Sequence, residues 1–272
     1  MNPRLALLAL ALGACTAGPP AREADEPGAL EVISPAREIA APRSGVAFTT
    51  PDIRRLQGDD AANPGMLWVE QGKVLWNRAG GADGKSCASC HGDAATSMRG
   101  VAARYPVYDS TAGALLNVEG RINQCRVQRQ HAPALRYESD ELLALSTYVA
   151  HQSRGMPVQP TITGPARAHF EAGRAAYLAR QGQLNLSCAH CHERNWGRTL
   201  LAETISQGQS NGFPAYRLEW QTLGSLHRRL RACQSGIRAE TSPAGSQELL
   251  DLELYLAWRA QGLPIEAPGV RR

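Results

Sequence analysis

The sequence of 272 residues has few lysines, few methionines and no apolar run long enough to cross a membrane. Lys73 and Lys85 are the only lysines, so nearly all of the 29 basic residues are arginines. The formal net charge of +4 is too small and too dispersed to predict a nucleic-acid-binding protein. Hydrophobic residues make up 43% of the chain, which excludes a largely disordered protein. The arginines instead favour local anion sites, because a guanidinium binds oxyanions through paired hydrogen bonds.

The N-terminus predicts export from the cytoplasm. A short positive segment precedes the apolar run Leu5–Ala14, which is too short to span a bilayer. The run ends in Leu-Gly-Ala-Cys at Cys15, which resembles a bacterial lipobox, with 1–14 as the signal and Cys15 as the lipidated first mature residue. An ordinary secretory signal with a chance cysteine is the alternative. Both interpretations place the protein in the periplasm, an oxidising compartment.

Residues 15–60 are rich in proline, alanine, glycine and glutamate, and predict a spacer that continues into an extended arm with little chemistry. The rest of the chain repeats itself. Residues 64–91 align with 165–192 at an offset of 101, and after a seven-residue insertion the offset becomes 108. The repeat predicts two domains, 61–158 and 165–272, joined by a linker at 158–164.

Each copy has the pattern of a helix, a loop and two further helices. Apolar residues at helical spacing predict closing helices over 141–153 and 247–260, each followed by a glycine and then a proline. Convincing strand alternation is absent. We therefore predict a mostly α fold.

Two Cys-x-x-Cys-His motifs predict two covalently bound c-type hemes, because paired thiols at this spacing reach the two vinyl groups of one heme and the histidine then lies beneath the iron. The thiols and histidines are Cys87, Cys90 and His91 in the first copy, and Cys188, Cys191 and His192 in the second. A thioredoxin-like pair would need a βαβ context, and a zinc site would need further ligands at close spacing.

Each iron needs a sixth ligand, which in small c-type cytochromes is usually methionine. Met98 and Met156 are the only methionines after the first motif, so the second heme cannot have His/Met ligation. The candidates in the second copy are His169, His190, His227 and Cys233. Cys233 fits best, because Cys125 stands at the equivalent place in the first copy. A Cys125–Cys233 disulfide is the alternative in an oxidising compartment.

Arg229 lies four residues before Cys233 in a segment of good helix formers, so both side chains should share one helix face. A guanidinium beside a cysteine favours the thiolate and can hold an oxyanion. The alternative is that this arginine neutralises heme propionates. Arg121 has the same offset from Cys125, which supports that alternative for at least one of the two arginines.

Residues 60–268 resemble the SoxA family, the diheme cytochrome subunit of the SoxAX complex of periplasmic sulfur oxidation, most specifically at Arg-Leu-Arg-Ala-Cys-Gln-Ser-Gly from Arg229. The resemblance implies two tandem cytochrome c-like domains whose hemes have His/Cys ligation through Cys125 and Cys233. It also implies that Cys233 is the catalytic sulfur, found in the family as a persulfide, and that Arg229 binds substrate.

The activity that the resemblance implies is that of an L-cysteine S-thiosulfotransferase, which joins thiosulfate to a cysteine of a sulfur-carrier protein as two electrons leave through heme. The implied partners are a SoxX-like monoheme cytochrome subunit, a SoxYZ-like carrier and a soluble cytochrome c acceptor. A non-enzymatic diheme electron carrier and a diheme peroxidase are the rival functions.

Overall fold

The computed structural model describes residues 41–272. The predicted signal segment and Cys15 lie outside the described residues and stay predictions. The helices are α1 (Pro51–Gly58), α2 (Met66–Asn77), α3 (Cys87–His91), α4 (Ala94–Ser97), α5 (Val118–Arg129), α6 (Asp140–His151), α7 (Ala166–Leu178), α8 (Cys188–His192), α9 (Leu226–Gly236) and α10 (Gln247–Arg259). The strands are β1 (Val107–Asp109), β2 (Ala114–Leu116), β3 (Thr199–Leu200), β4 (Glu203–Thr204), β5 (Ala215–Arg217), β6 (Thr222–Gly224) and β7 (Gly269–Arg271).

Helices make up about 44% of the structure, in agreement with the predicted mostly α fold. In each half the long first helix packs against the closing helix, α2 on α6 and α7 on α10. The closest approach is made at a glycine in both pairs. A Cβ added at Gly72 would lie 2.2 Å from the Ala144 carbonyl oxygen, and one at Gly173 would lie 1.9 Å from that of Asp251. Only glycine therefore allows these helices to pack this closely.

The closing helices begin one residue before the predicted start in the first half and at the predicted residue in the second, and both end slightly earlier than predicted. Their N-caps are Ser139 and Ser246, whose side chains accept hydrogen bonds from Leu142 N and Leu249 N. Because α6 and α10 are buried on most of their surface, they form the centre of the core.

The structure also contains short strands, for which the sequence shows no convincing alternation. Short antiparallel hairpins precede α5 and α9, and they have the same register in both halves. Asp109 pairs with Ala114 in the first hairpin, and Arg217 pairs with Thr222 in the second. Strands of three residues contain too little alternation to be recognised in the sequence. The C-terminal β7 adds to β5 in parallel, so the second hairpin becomes a three-stranded sheet.

The two halves make reciprocal contacts. The Trp68 ring lies 6.1 Å from the Tyr216 ring, and the His169 ring lies 5.7 Å from the Tyr108 ring. Trp68 and His169 occupy equivalent positions in the repeat, as do Tyr108 and Tyr216. The segment predicted as a linker takes part in this packing, since Val158 is buried and hydrogen-bonds to the backbone of the second half.

The segment before the first repeat was expected to be extended, but its described part forms a 3-10 turn at Gly45–Phe48 and then the short helix α1. Both elements contact β7. Within residues 41–272, none of the helices has the length and apolar character needed to cross a bilayer.

Candidate active site

The two Cys-x-x-Cys-His segments form the short helices α3 and α8, which place the two thiols of each motif on adjacent turns. Ser86 and Ser187 cap these helices. The Ser187 hydroxyl lies 2.7 Å from Nδ1 of His190. This histidine is therefore part of the helix cap and is not a candidate axial ligand. All six described cysteines are free, so the Cys125–Cys233 disulfide does not form.

His192 is held in one orientation by the loop that follows it. Its Nδ1 lies 2.9 Å from the Ser206 carbonyl oxygen, and this contact leaves Nε2 as the nitrogen available to a metal. Gly208 packs flat against the same ring with a φ of +71°. A Cβ added there would lie 2.7 Å from His192 Cγ. The loop thus needs glycine both for its backbone conformation and for its closeness to the imidazole.

Cys233 lies on α9, one turn after Arg229, and is half-buried. Burial of the thiol opposes its ionisation, but hydrogen bonding with His192 and the positive charges of Arg229 and Arg217 outweigh that effect. Together they lower the pKa of Cys233 to about 7. A thiolate is the form of cysteine that ligates metals and attacks sulfur, so this thiol is prepared for both roles.

Cys125 has the equivalent place on α5 but the opposite electrostatic environment. Burial raises its pKa, and the positive charges of Arg121 and Arg129 do not offset that effect. Arg121 is already engaged: it contacts Asp109 at 2.6 Å and donates to the Tyr105 hydroxyl at 3.1 Å. The two cysteines are therefore equivalent in fold and different in chemistry.

The structure places the other candidate ligands elsewhere. His169 Nδ1 contacts Asp251 at 2.8 Å and packs between the halves. His227 is buried against Glu253, with Nε2 and the carboxylate oxygen 2.9 Å apart, and its Nδ1 accepts from the Gly245 backbone N–H at 3.0 Å. Both histidines are occupied by protein partners, which leaves Cys233 as the candidate facing His192.

The donor set fits a c-type heme. Burial first, and then the charges of the Cys233 and Cys191 sulfurs, raise the pKa of Cys188 to about 12. Cys87 and Cys125 interact in the same way in the first half. Within residues 41–272, no three His, Cys, Asp or Glu side chains are grouped as a bare metal ion requires. The buried Tyr177 hydroxyl lacks a hydrogen-bond partner among the described residues, as expected where a cofactor is to be received.

Arg217 is the residue of this site that sequence reasoning missed. It lies at the end of β5, is 7% exposed, and packs its guanidinium 5.0 Å from the centre of the Trp220 ring. The signal that could have found it is the repeat alignment, which places Arg217 opposite Asp109 and so reverses a charge. Without the hairpin register, nothing connected that position with Cys233.

The chain is similar to proteins of known activity and structure. The family model of the SoxA/TsdA cytochrome c domain matches residues 71–158. The L-cysteine S-thiosulfotransferase subunit SoxA of Pseudaminobacter salicylatoxidans is 45% identical over 230 residues, which cover 84% of this chain and 80% of that protein. The same-named subunit of Paracoccus pantotrophus is 41% identical over 228 residues, covering 84% and 78%. The crystal structure of SoxXA from P. pantotrophus matches with a TM-score of 0.82 and 41% identity, over 85% of this chain and 87% of that chain.

Proposed function

The chain belongs to the SoxA family, and from that premise we propose that Cys233 and Arg229 carry out its thiosulfate chemistry. The protein is an L-cysteine S-thiosulfotransferase subunit, which conjugates thiosulfate oxidatively to a cysteine, and not a pure electron carrier. The observation that best supports these residue roles is their placement. Cys233 faces His192, and one turn before it on α9 lies Arg229, whose side chain has no carboxylate partner among the described residues.

Arg229 orients the substrate. Its guanidinium can hold a sulfonate oxygen pair of thiosulfate through two parallel hydrogen bonds. The outer sulfur of the dianion then faces the Cys233 thiolate. Because α9 carries both side chains one turn apart, binding and reaction occur on the same helix face.

The bond changes balance with two electrons. The Cys233 thiolate and the outer sulfur of thiosulfate form an S–S bond, and two electrons leave. The thiolate of the carrier cysteine then attacks that outer sulfur and releases the Cys233 thiolate, as in thiol–disulfide exchange. The carrier keeps the S-thiosulfonate group, and Cys233 is restored.

Two hemes are part of the proposal, one in each of the cytochrome c-like domains 61–158 and 165–272. Cys87, Cys90 and His91 would hold the first with Cys125, and the second would be held by Cys188, Cys191, His192 and Cys233. When bound, the second heme supplies an electron acceptor next to the Cys233 sulfur.

The family also supports the partners of the reaction. The match to SoxXA supports a heterodimer with a SoxX-like monoheme cytochrome. We propose a SoxYZ-like sulfur carrier as the cysteine substrate, a soluble cytochrome c as the final acceptor, and the periplasm as the location. The anchor on Cys15 is a prediction of the same kind.

The first experiment compares Cys233→Ala with the matched variant Cys125→Ala, each in the heme-loaded heterodimer. Transfer of thiosulfate onto a carrier cysteine is measured by mass spectrometry of the carrier. Cys233→Ala should lower the rate by about 1,000-fold or more, because it removes the sulfur that forms the covalent intermediate. Cys125→Ala should lower it by less than about 10-fold.

The mass of each intact variant provides the control, since both variants should still carry two thioether-linked hemes. Low-temperature EPR of the parent should show low-spin ferric iron with thiolate ligation. Turnover retained by Cys233→Ala would exclude the proposed role of this sulfur.

A further inference from the structure

Arg121 and Arg229 hold the same place in the repeat, but only Arg121 has partners. Three acceptors surround it: the Tyr105 hydroxyl accepts from Arg121 Nε at 3.1 Å, Asp109 contacts it at 2.6 Å, and Gln124 Oε1 accepts at 2.6 Å. Each of the three guanidinium nitrogens thus has one protein acceptor. In the first repeat the arginine is therefore held by internal bonds.

All three acceptors are replaced in the second repeat. At the offset of 108, Tyr105, Asp109 and Gln124 correspond to Phe213, Arg217 and Ala232. None of these three side chains can accept a hydrogen bond from a guanidinium. Arg229 accordingly has no hydrogen bond or ion pair through its side chain among residues 41–272.

The hairpin register places Arg217 next to Arg229. Both hairpins pair their strands identically, so positions 109 and 217 are equivalent in space as well as in sequence. The side chain at 109 touches the arginine at 121 directly. In the second repeat the same two positions carry two positive charges, which repel each other unless an anion lies between them.

Arg217 is fixed rather than mobile. Its guanidinium contacts Glu219 at 2.7 Å and stacks on the Trp220 ring. The Arg228 guanidinium also packs on this ring, 4.3 Å from its centre. Glu219 is half exposed and can offset only the charge of Arg217, which leaves Arg229 uncompensated. Arg217, Arg229 and Glu219 together carry one net positive charge beside Cys233, with Arg217 buried and Arg229 partly buried.

We infer that Arg217 is a second substrate-binding residue, which together with Arg229 holds the sulfonate end of thiosulfate beside Cys233. The inference rests on the proposed function and adds a residue to the same site. Two guanidinium groups can bond different oxygens of a tetrahedral sulfonate, Arg229 through its fork and Arg217 through the Nη1 group that Glu219 does not contact, and this fixes the orientation of the anion. That orientation directs the outer sulfur to Cys233.

The test uses Arg217→Gln in the heme-loaded heterodimer, with Arg121→Gln as the matched control from the first repeat. Thiosulfate binding is measured by titration calorimetry, and transfer to a carrier cysteine gives kcat and KM. Arg217→Gln should raise both Kd and KM by about 10- to 100-fold, as loss of a charge-assisted hydrogen bond does, and change kcat less. Arg217→Lys should recover part of the affinity, and Arg121→Gln should keep the parental Kd.

The outcomes separate this inference from the proposed function. If the parent binds thiosulfate and Arg217→Gln does not, but no carrier is modified, the inference stands and the proposed function fails. An unchanged Kd in Arg217→Gln overturns the inference even when the parent turns over. It is also overturned if Arg217→Gln loses the second heme, because Arg217 would then serve a heme carboxylate, or if the parent binds no thiosulfate.

Discussion

The two halves of this chain share a backbone plan and differ in where their charges find partners. In the first half Arg121 is bonded to protein acceptors and burial raises the pKa of Cys125. In the second half Arg229 has no such acceptors and the pKa of Cys233 falls to about 7. After an internal duplication, the arginine of one copy can thus be neutralised by protein groups, while the arginine of the other copy stays available to bind an anion.

The comparison shows that the neighbours of a cysteine decide its chemistry more than its position in the repeat does. Cysteine, preceding arginine and hairpin are present in both halves. What differs is a set of three positions that accept hydrogen bonds in one copy and do not in the other. Unsatisfied groups of this kind are costly for folding and are typical of functional sites.

The largest effect is expected from Gly208→Ala, compared with Gly100→Ala at the equivalent position. Both glycines have positive φ, +71° and +73°. The new methyl group at Gly208 would meet the His192 ring, whereas at Gly100 it would meet the flexible end of Met156. We expect losses of about 3 kcal/mol and about 1 kcal/mol in the free energy of unfolding.

Chemical unfolding of the heme-loaded protein measures both values. Mass spectrometry should also show less complete attachment of heme to the second motif in Gly208→Ala, since His192 would be displaced. Equal losses in the two variants would mean that the backbone conformation matters and the contact with His192 does not.

A smaller effect separates the two arginines. Arg229→Ala should lower kcat/KM for thiosulfate by about 100-fold, the amount typical of a charge-assisted pair of hydrogen bonds. Arg121→Ala should chiefly lower the melting temperature, because Asp109 loses its partner. Steady-state transfer assays and thermal unfolding distinguish the two results. Equal effects on KM would assign both arginines to heme carboxylates.

The smallest effect concerns Glu119 and His227, which occupy equivalent positions on α5 and α9. Burial, and then the charge of Glu253, raise the pKa of Glu119 from 4.5 to about 7. The folded state therefore binds the proton more tightly, so the stability that Glu119 contributes is complete below pH 4.5 and falls as the pH rises to 7. The raised pKa of His227, held by Glu253, acts in the same direction.

Between pH 4.5 and 7, the fall in the free energy of unfolding should be smaller in Glu119→Gln by about 1–2 kcal/mol. This is less than the pKa shift of Glu119 alone would give, because the buried groups titrate together. Denaturant unfolding at several pH values measures it. A decline of the same size in the variant would assign the pH dependence to His227 and Glu253.

Much of the helical framework could be predicted from the sequence. The glycines at 72 and 173, the apolar spacing of the closing helices and the placement of Arg229 and Cys233 on one helix are local patterns, and α2, α6, α7, α9 and α10 follow them. The hairpins escaped prediction because their strands have three residues each. The sequence also contains no sign that Val158, at the start of the predicted linker, is buried against the second half.

Only some of the neighbours of Cys233 could be predicted, because helix geometry is readable from the sequence and strand register is not. Arg229 is four residues away along one helix, so its proximity follows from helix geometry. Arg217 is separated from Arg229 by a hairpin turn and a helix start, and its proximity follows only from strand register. The sequence signal for Arg217 was that it stands where the first repeat has Asp109.

By itself, the sequence determined the repeat, the two thiol pairs with their histidines, and the equivalent cysteines, because each depends on spacing along the chain. Tertiary structure decided that the pKa is lowered at Cys233 and raised at Cys125. The register of β5 on β6 and the approach of His192 bring charges together from separate elements, and electrostatic energy depends on distance through space rather than along the chain.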